Sequence, residues 1–364
     1  MNFDYNEEQQ LLADSVRRFV QKDYDFERRR KIVASEHGFS PEVWSVFADM
    51  GLLGLPFSTE HGGFGGGAVD LLSVMEAFGE ALVVEPYLAT VGLGARFVAK
   101  AGSAQQKKAI LPAVAEGKLK MAFAHAEAGA RYDLAQVRAQ AKKAADGWRI
   151  EGEKRAVIGA PMADKLVVSA RSGAGIALFL VDREAAGVSL RPYRTLDEMR
   201  AADVVLAGVR AEALEGGLEL IEEATDFATA LVCAEAVGAI QYANDATLEY
   251  LKTRKQFGVP IGAFQALQHR MVDMVISGEQ ARSMACLACS KADAASANER
   301  KRAISAAKIK IADACRHVSQ ESVQLHGGMG MTEELKVSHT FRRLTMIAQQ
   351  FGDADHHLER FASL

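Results

Sequence analysis

The sequence predicts three successive parts: a helical domain, a small β domain and a helix bundle. Three observations carry that prediction. Proline stands only at 41, 56, 86, 112, 161, 192 and 260, and the stretch after Pro260 is rich in Ala, Leu, Met, Lys and Glu, which favour long helices. From about residue 148 to 209 the chain breaks into short apolar runs separated by Gly- and Arg-containing turns. After Gly216 and Gly217, apolar residues return at helical spacing, at Leu220, Ile221, Ala224, Phe227, Ala228 and Leu231.

The first helix opens at Asn6, which can cap it together with Gln9, and Leu11, Leu12, Val16, Phe19 and Val20 share its expected apolar face. Ser40 followed by Pro41 starts another helix, which Gly51 ends. The string HGGFGGG at 61–67 lacks the Gly-Lys-Ser/Thr of a phosphate-binding loop, so a tight interhelix loop is expected. In the β part the expected strands are 166–170, 176–182 and 204–206.

A chain of 364 residues, 49% of them hydrophobic, can bury a large core and has the length of two or three domains. A formal net charge of -4 offers no basic face to a polyanion, so a small-molecule partner is expected and nucleic acid is not. The start, MNFDYNEEQQ, lacks a basic segment followed by an apolar run, and no segment reaches the ~18 apolar residues of a membrane span. A cytoplasmic location without membrane contact is the expectation. Cys286 and Cys289 form a CxxC with no second CxxC or His pair to complete a metal site, so two helix-packed thiols and no metal are expected.

Two strings in the last part stand about 70 residues apart: RKQFGVPIGAFQ at 254–265 and QLHGGMGMTEE at 324–334. In order and spacing they resemble the R-x-x-F-G and Q-x-x-G-G-x-G segments of the FAD-dependent acyl-CoA dehydrogenases. The resemblance implies that Arg254, Phe257 and Gln265 reach the adenosine-diphosphate half of FAD from one subunit, and Gln324, Gly327 and Gly328 from a facing one. The chemistry suits those residue types: a guanidinium forks onto phosphate oxygens, a ring packs on adenine, and bare glycine backbone admits close approach. It also implies an acyl-CoA dehydrogenase-like architecture. That architecture has an N-terminal α-helical domain (1–118), a middle β-sandwich or barrel-like domain (119–215) and a C-terminal four-helix bundle (216–364), assembled as a tetramer.

GLLGLPFSTEHGGFGGG resembles the family's N-terminal interhelix loop, and MAFAHAEAGARYDL at 121–134 takes the place of a strand close to F-A-x-T-E-P-x-A-G-S-D. Glu127 and Asp133 match that pattern, while Ala126, Ala128 and Tyr132 replace the threonine at the flavin edge, the proline and the serine. KRAVIGAP leaves Ala156 and Ile158 where a second flavin-side strand usually has tryptophan and threonine. The variant A-E-x-x-x-R-Y-D, with F-G-D-A-D-H-H near the C-terminus, is most similar to the small subunit of pimeloyl-CoA dehydrogenases, a subgroup in which two different chains of this fold assemble.

Family chemistry removes the α-proton of an acyl-CoA thioester with a glutamate and passes a hydride from the β-carbon to the flavin, with electron-transfer flavoprotein as acceptor. The glutamate occupies one of two positions, which by count are Phe351 and Ala228 here, followed by Gly352 and Thr229. No catalytic residue is therefore assigned, and a homologous partner chain carrying the base is implied. Among substitutes, Asp226 falls about 200° round a helix from Ala228 and Glu235 about 10 Å along it. Asp353 and Asp355 beside His356 and His357 have the pattern of a solvated turn. Two alternatives remain: a structural or regulatory subunit binding neither flavin nor acyl-CoA, and a self-sufficient dehydrogenase using Asp353 or Glu235.

Overall fold

The computed structural model describes residues 6–145, 147–173 and 175–364. Along the chain run helices α1 (Glu7–Asp23), α2 (Phe26–Ala34), α3 (Pro41–Asp49), α4 (Ala68–Ala81), α5 (Ala95–Ala101) and α6 (Ala104–Ala115). Strands β1 (Met121–Ala124), β2 (Gln140–Ala144), β3 (Gly147–Ile158), β4 (Lys165–Ser172), β5 (Gly175–Asp182), β6 (Val188–Arg194) and β7 (Arg200–Leu214) follow. Then come α7 (Leu218–Thr253), β8 (Lys255–Gln256), β9 (Val259–Pro260), α8 (Gln265–Lys291), α9 (Ala297–His326), α10 (Lys336–Gln349) and α11 (Ala354–Ala362). Two compact units result: Arg30–Gly67 with Val84–Ala228, and the described residues up to Arg29 with Ala68–Val83 and Thr229–Leu364.

The helix starts form as their side chains dictate. Asn6 Oδ1 accepts the Gln9 N–H at 2.8 Å while Gln9 Oε1 accepts the Asn6 N–H at 3.0 Å, a complete capping box. On α1 the buried stripe runs through Ala13, Val16 and Val20, and Leu11, expected on the apolar face, is exposed. The helix packs on α4 by that narrower stripe. Ser40 Oγ accepts the Val43 N–H at 3.3 Å to start α3, whose end is followed by Gly51 at φ +73°. The 61–67 loop is closed on its own backbone, with Gly63, Gly65 and Gly66 N–H groups donating to Ser58, Phe57 and Leu55 carbonyls. Those donors are therefore taken, which agrees with a tight loop rather than a phosphate cradle.

In the unit that contains the strands, β4, β5, β7, β3 and β2 pair in succession and β2 returns to β4 through Gln140 and Arg171, closing a small barrel. β1 lies parallel on β4 and β6 antiparallel on β7. Ile150, Leu166, Val168, Phe179, Val181, Val204, Leu206 and Val209 fill the core. The three expected runs lie inside β4, β5 and β7. The apolar spacing does not mark β2, β3 and β6, because QAKKA, GWRIEGEKRAVI and VSLRPYR are dense in charged residues and show little apolar alternation.

In the other unit, α9 is the centre of the bundle, packed against α8, α10 and α11, with Ile304, Ala307, Ile311, Cys315 and Val318 buried. Helices α4 and α7 cross at two glycines: a Cβ on Gly238 would lie 1.8 Å from Glu76 O, and one on Gly79 1.9 Å from Glu235 O. Backbone cannot yield as a flexible side chain can. Gly238→Ala is therefore expected to destabilise the chain by about 3 kcal/mol, the upper part of the range for overpacking, read as a lowered urea midpoint.

Candidate functional site

Helix α7 ends at Thr253, and Arg254 leads into the β8–β9 hairpin, whose two-residue turn is Phe257–Gly258 at φ +55° and +83°. Positive φ at both central residues is the primed-turn geometry of tight hairpins, with glycine at its favoured second place. The turn lifts the Phe257 ring clear of the protein, 90% exposed, touching Phe264 edge-on at 6.2 Å. Gln265 starts α8, exposed. Among the described residues the side chains of Arg254, Gln265 and Gln324 make no hydrogen bond or ion pair.

Gln324 lies in the last turn of α9, followed by Gly327 at φ +60°, ψ −143° and by Gly328, and a Cβ on either glycine would meet nothing within 4 Å. The underside of this corner is packed. His326 rests against the Tyr250 ring at 4.5 Å, and Thr247 Oγ1 lies 2.8 Å from Ser322 Oγ, which sets the C-terminal ends of α7 and α9 side by side. An unpartnered guanidinium, an exposed aromatic ring, two unpartnered amides and bare glycine backbone fit the adenosine-diphosphate half of a dinucleotide.

In the barrel unit, β1 runs into His125, Ala126 and Glu127. Fully buried Lys154 donates to Glu127 Oε1 at 2.7 Å, to His125 O at 3.1 Å and to Ser169 Oγ at 3.1 Å. Glu127 also accepts the N–H groups of Arg138 at 2.7 Å and Ala139 at 3.1 Å, so both ends of the loop after β1 are pinned. Burial alone raises the Glu127 carboxyl, but the Lys154 hydrogen bond and the two amides outweigh it and hold it below the usual value. Burial pushes Lys154 down to about 8, and burial with the Lys154 charge pushes His125 down to about 4. Sequence reasoning matched Glu127 to the family but missed Lys154, although it stands in the same KRAVIGAP string as Ala156. Ala126 and Ala156 are exposed methyl groups and Ile158 is half-buried. At this end the backbone frame is present without hydroxyl or aromatic side chains at those three positions.

Phe351, half-buried at φ +60°, sits in a braced turn after α10. Lys308, also fully buried, donates to Ala348 O at 3.1 Å and Gly352 O at 2.7 Å, and His357 Nε2 donates to Phe351 O at 3.1 Å. Burial, then the neighbouring Lys308 charge, pushes His357 down to about 3. The expected solvated turn is thus only partly solvated: Asp355 is exposed, but His357 is buried and Asp353 caps α11, accepting the His356 N–H at 2.9 Å. Ala228 is wholly buried in α7, Asp226 is buried two residues before it, and Glu235 holds Arg343 through two bonds of 2.6 and 2.7 Å. On α8, burial raises both Cys286 and Cys289, the opposite of the lowered value a reactive thiol needs.

Models described as the N-terminal, middle and C-terminal domains of acyl-CoA dehydrogenase match residues 6–118, 122–209 and 215–362. Acyl-CoA dehydrogenase fadE12 of Mycobacterium tuberculosis (strain CDC 1551 / Oshkosh) is 32% identical over 95% of this chain and 93% of its own. Probable acyl-CoA dehydrogenase YngJ of Bacillus subtilis (strain 168) is 28% identical over 99% and 98%. A solved structure of a variant of the "Tcur3481-Tcur3483 steroid ACAD" superposes with a TM-score of 0.91 at 30% identity, covering 98% of this chain and 97% of that one. The "ChsE4-ChsE5 complex from Mycobacterium tuberculosis" gives 0.91 at 26% identity, covering 100% and 98%. With all three domains matched and the fold shared along nearly its whole length, the chain belongs to the acyl-CoA dehydrogenase family.

Proposed function

We propose that this chain is an FAD-dependent acyl-CoA dehydrogenase subunit without a catalytic base, working in a hetero-oligomer whose other, homologous chain supplies the glutamate. The observation that carries this reading is the turn at Phe351. Lys308, His357 and Asp353 brace it by hydrogen bonds, yet it presents a phenyl ring, and the second counted position, Ala228, is a buried methyl. Glu235 is engaged by Arg343 and Asp353 by the α11 amide, which weighs against either as a substitute.

Arg254, Phe257, Gln265, Gln324, Gly327 and Gly328 would hold the adenosine-diphosphate half of FAD, which when bound supplies the hydride acceptor. The chain's own part is to bind and orient; the α-proton of the acyl-CoA leaves to a carboxylate of the partner. A partner surface is supported by Val272, Val275 and Ile276, an exposed apolar stripe at i, i+3 and i+4 on α8. The two-component names of the steroid ACAD and the ChsE4-ChsE5 complex support a hetero-oligomer over a homo-oligomer. The short strings shared with pimeloyl-CoA dehydrogenase small subunits support that subgroup. Domain limits at 118 and 215, electron-transfer flavoprotein as acceptor and a cytoplasmic location belong to the same reading; no described helix is long and apolar enough to cross a membrane. The methyl groups at Ala126 and Ala156 favour one other reading, a structural subunit that holds no flavin. Arg254→Ala separates the two. It is expected to loosen FAD about tenfold, as loss of a charge-assisted phosphate partner at an exposed position should, with unfolding unchanged. A titration in which it holds FAD like the parent would refute the placement.

A further inference from the structure

Strand β3 carries a two-residue bulge, Arg155 and Ala156, opposite a single residue of β7, Asp203: the register passes from Lys154↔Val204 to Val157↔Ala202. Such bulges bend a strand and re-aim its side chains, often beside ligand sites. Ala156 takes φ +49°, a left-handed value that a residue with a Cβ keeps only under restraint.

The restraint is one carboxylate. Asp203 Oδ1 accepts the Ala156 N–H at 3.1 Å and the Tyr193 hydroxyl at 3.3 Å, and Oδ2 accepts Arg155 Nη1 at 2.6 Å. The Arg155 N–H in turn donates to Ala126 O at 2.7 Å. Ala126 and Ala156 are two of the three positions counted to the flavin side, and the bulge that Asp203 fixes joins them. Because both side chains are methyl groups, what this edge offers a ligand is backbone, and its shape depends on the bulge.

We propose that Asp203 is a positioning residue, holding the Arg155–Ala156 bulge in the shape against which the ring end of a bound flavin rests. The proposal rests on the FAD reading above. Asp203 lies at a partly exposed place, its side chain 17% accessible, so its replacement does not hollow the core.

The test compares the parent with Asp203→Ala and Asp203→Asn in the assembly as purified, by FAD titration followed through flavin fluorescence and, without flavin, by amide exchange at Arg155 and Ala156. Asp203→Ala is expected to weaken FAD about tenfold, the loss of one charge-assisted anchor, and to speed exchange at Ala156. Asp203→Asn keeps an oxygen for the Ala156 N–H and is expected to stay near the parent in both. If Asp203→Ala binds FAD as the parent does while Ala156 exchanges faster, the bulge is merely structural and the proposal fails. If the parent itself takes up no FAD, the FAD reading fails and this proposal with it, an outcome the parent titration alone reveals.

Discussion

An Arg343→Ala chain is expected to lose about 3–5 kcal/mol of stability, the cost of removing one partner from a buried ion pair. Arg343 on α10 holds both oxygens of Glu235 on α7, at 2.6 and 2.7 Å, and both side chains are more than nine-tenths buried. The guanidinium offsets the desolvation of the carboxylate; alanine leaves that carboxylate in the core with neither water nor cation. Urea unfolding should show a lower midpoint with an unchanged slope. The double change Glu235→Gln with Arg343→Met, which removes both charges, should recover most of the loss because the desolvation cost goes with them. An Arg343→Ala chain that unfolds at the parent's midpoint would mean that the pair does not form, and Glu235 would return as a candidate base.

Much of this molecule could be read from local chemistry. The Asn6–Gln9 box and the Ser40–Pro41 start each depend on two or three residues close in sequence, and both form as expected. The long proline-free helices follow from composition. What stayed hidden depends on pairs far apart in the chain. Lys154 and Glu127 are 27 residues apart and Ala156 and Asp203 are 47 apart, and nothing local marks a lysine or aspartate that will be drawn into a barrel wall. Strand β2 and the part of β3 before the KRAVIGAP string hid for a related reason: on a small barrel the outward face is polar and broken by Gly147 and Gly152, so period-two alternation fades. The β8–β9 hairpin hid because two-residue strands carry no period, though Phe257–Gly258 held its turn. Of the candidate site, the residues proposed for the adenosine end could be named from two strings. The exposure of Phe257, the open face of Gly327 and Gly328 and the bracing of Phe351 by Lys308 and His357 needed the folded chain.

Phe351→Glu is expected to leave the chain inert. A general base is worth about 10²–10⁴-fold when the rest of a site is in place, and the braced turn would present the new carboxylate at the position counted to the family's base. The positions counted to the flavin side, however, are Ala126, Ala156 and Ile158 in place of the family's hydroxyl and aromatic groups, so a bound flavin ring and acyl-CoA are not oriented against each other for that carboxylate to act on. Turnover by Phe351→Glu with an artificial electron acceptor would show that the pocket is intact and lacks only its base. The most direct measurement is acyl-CoA-dependent bleaching of flavin bound to the unmodified chain, alone and after mixing with its homologous partner. No bleaching is expected from the chain alone, and bleaching once the partner is present; robust bleaching by the chain alone would contradict a subunit without its own base.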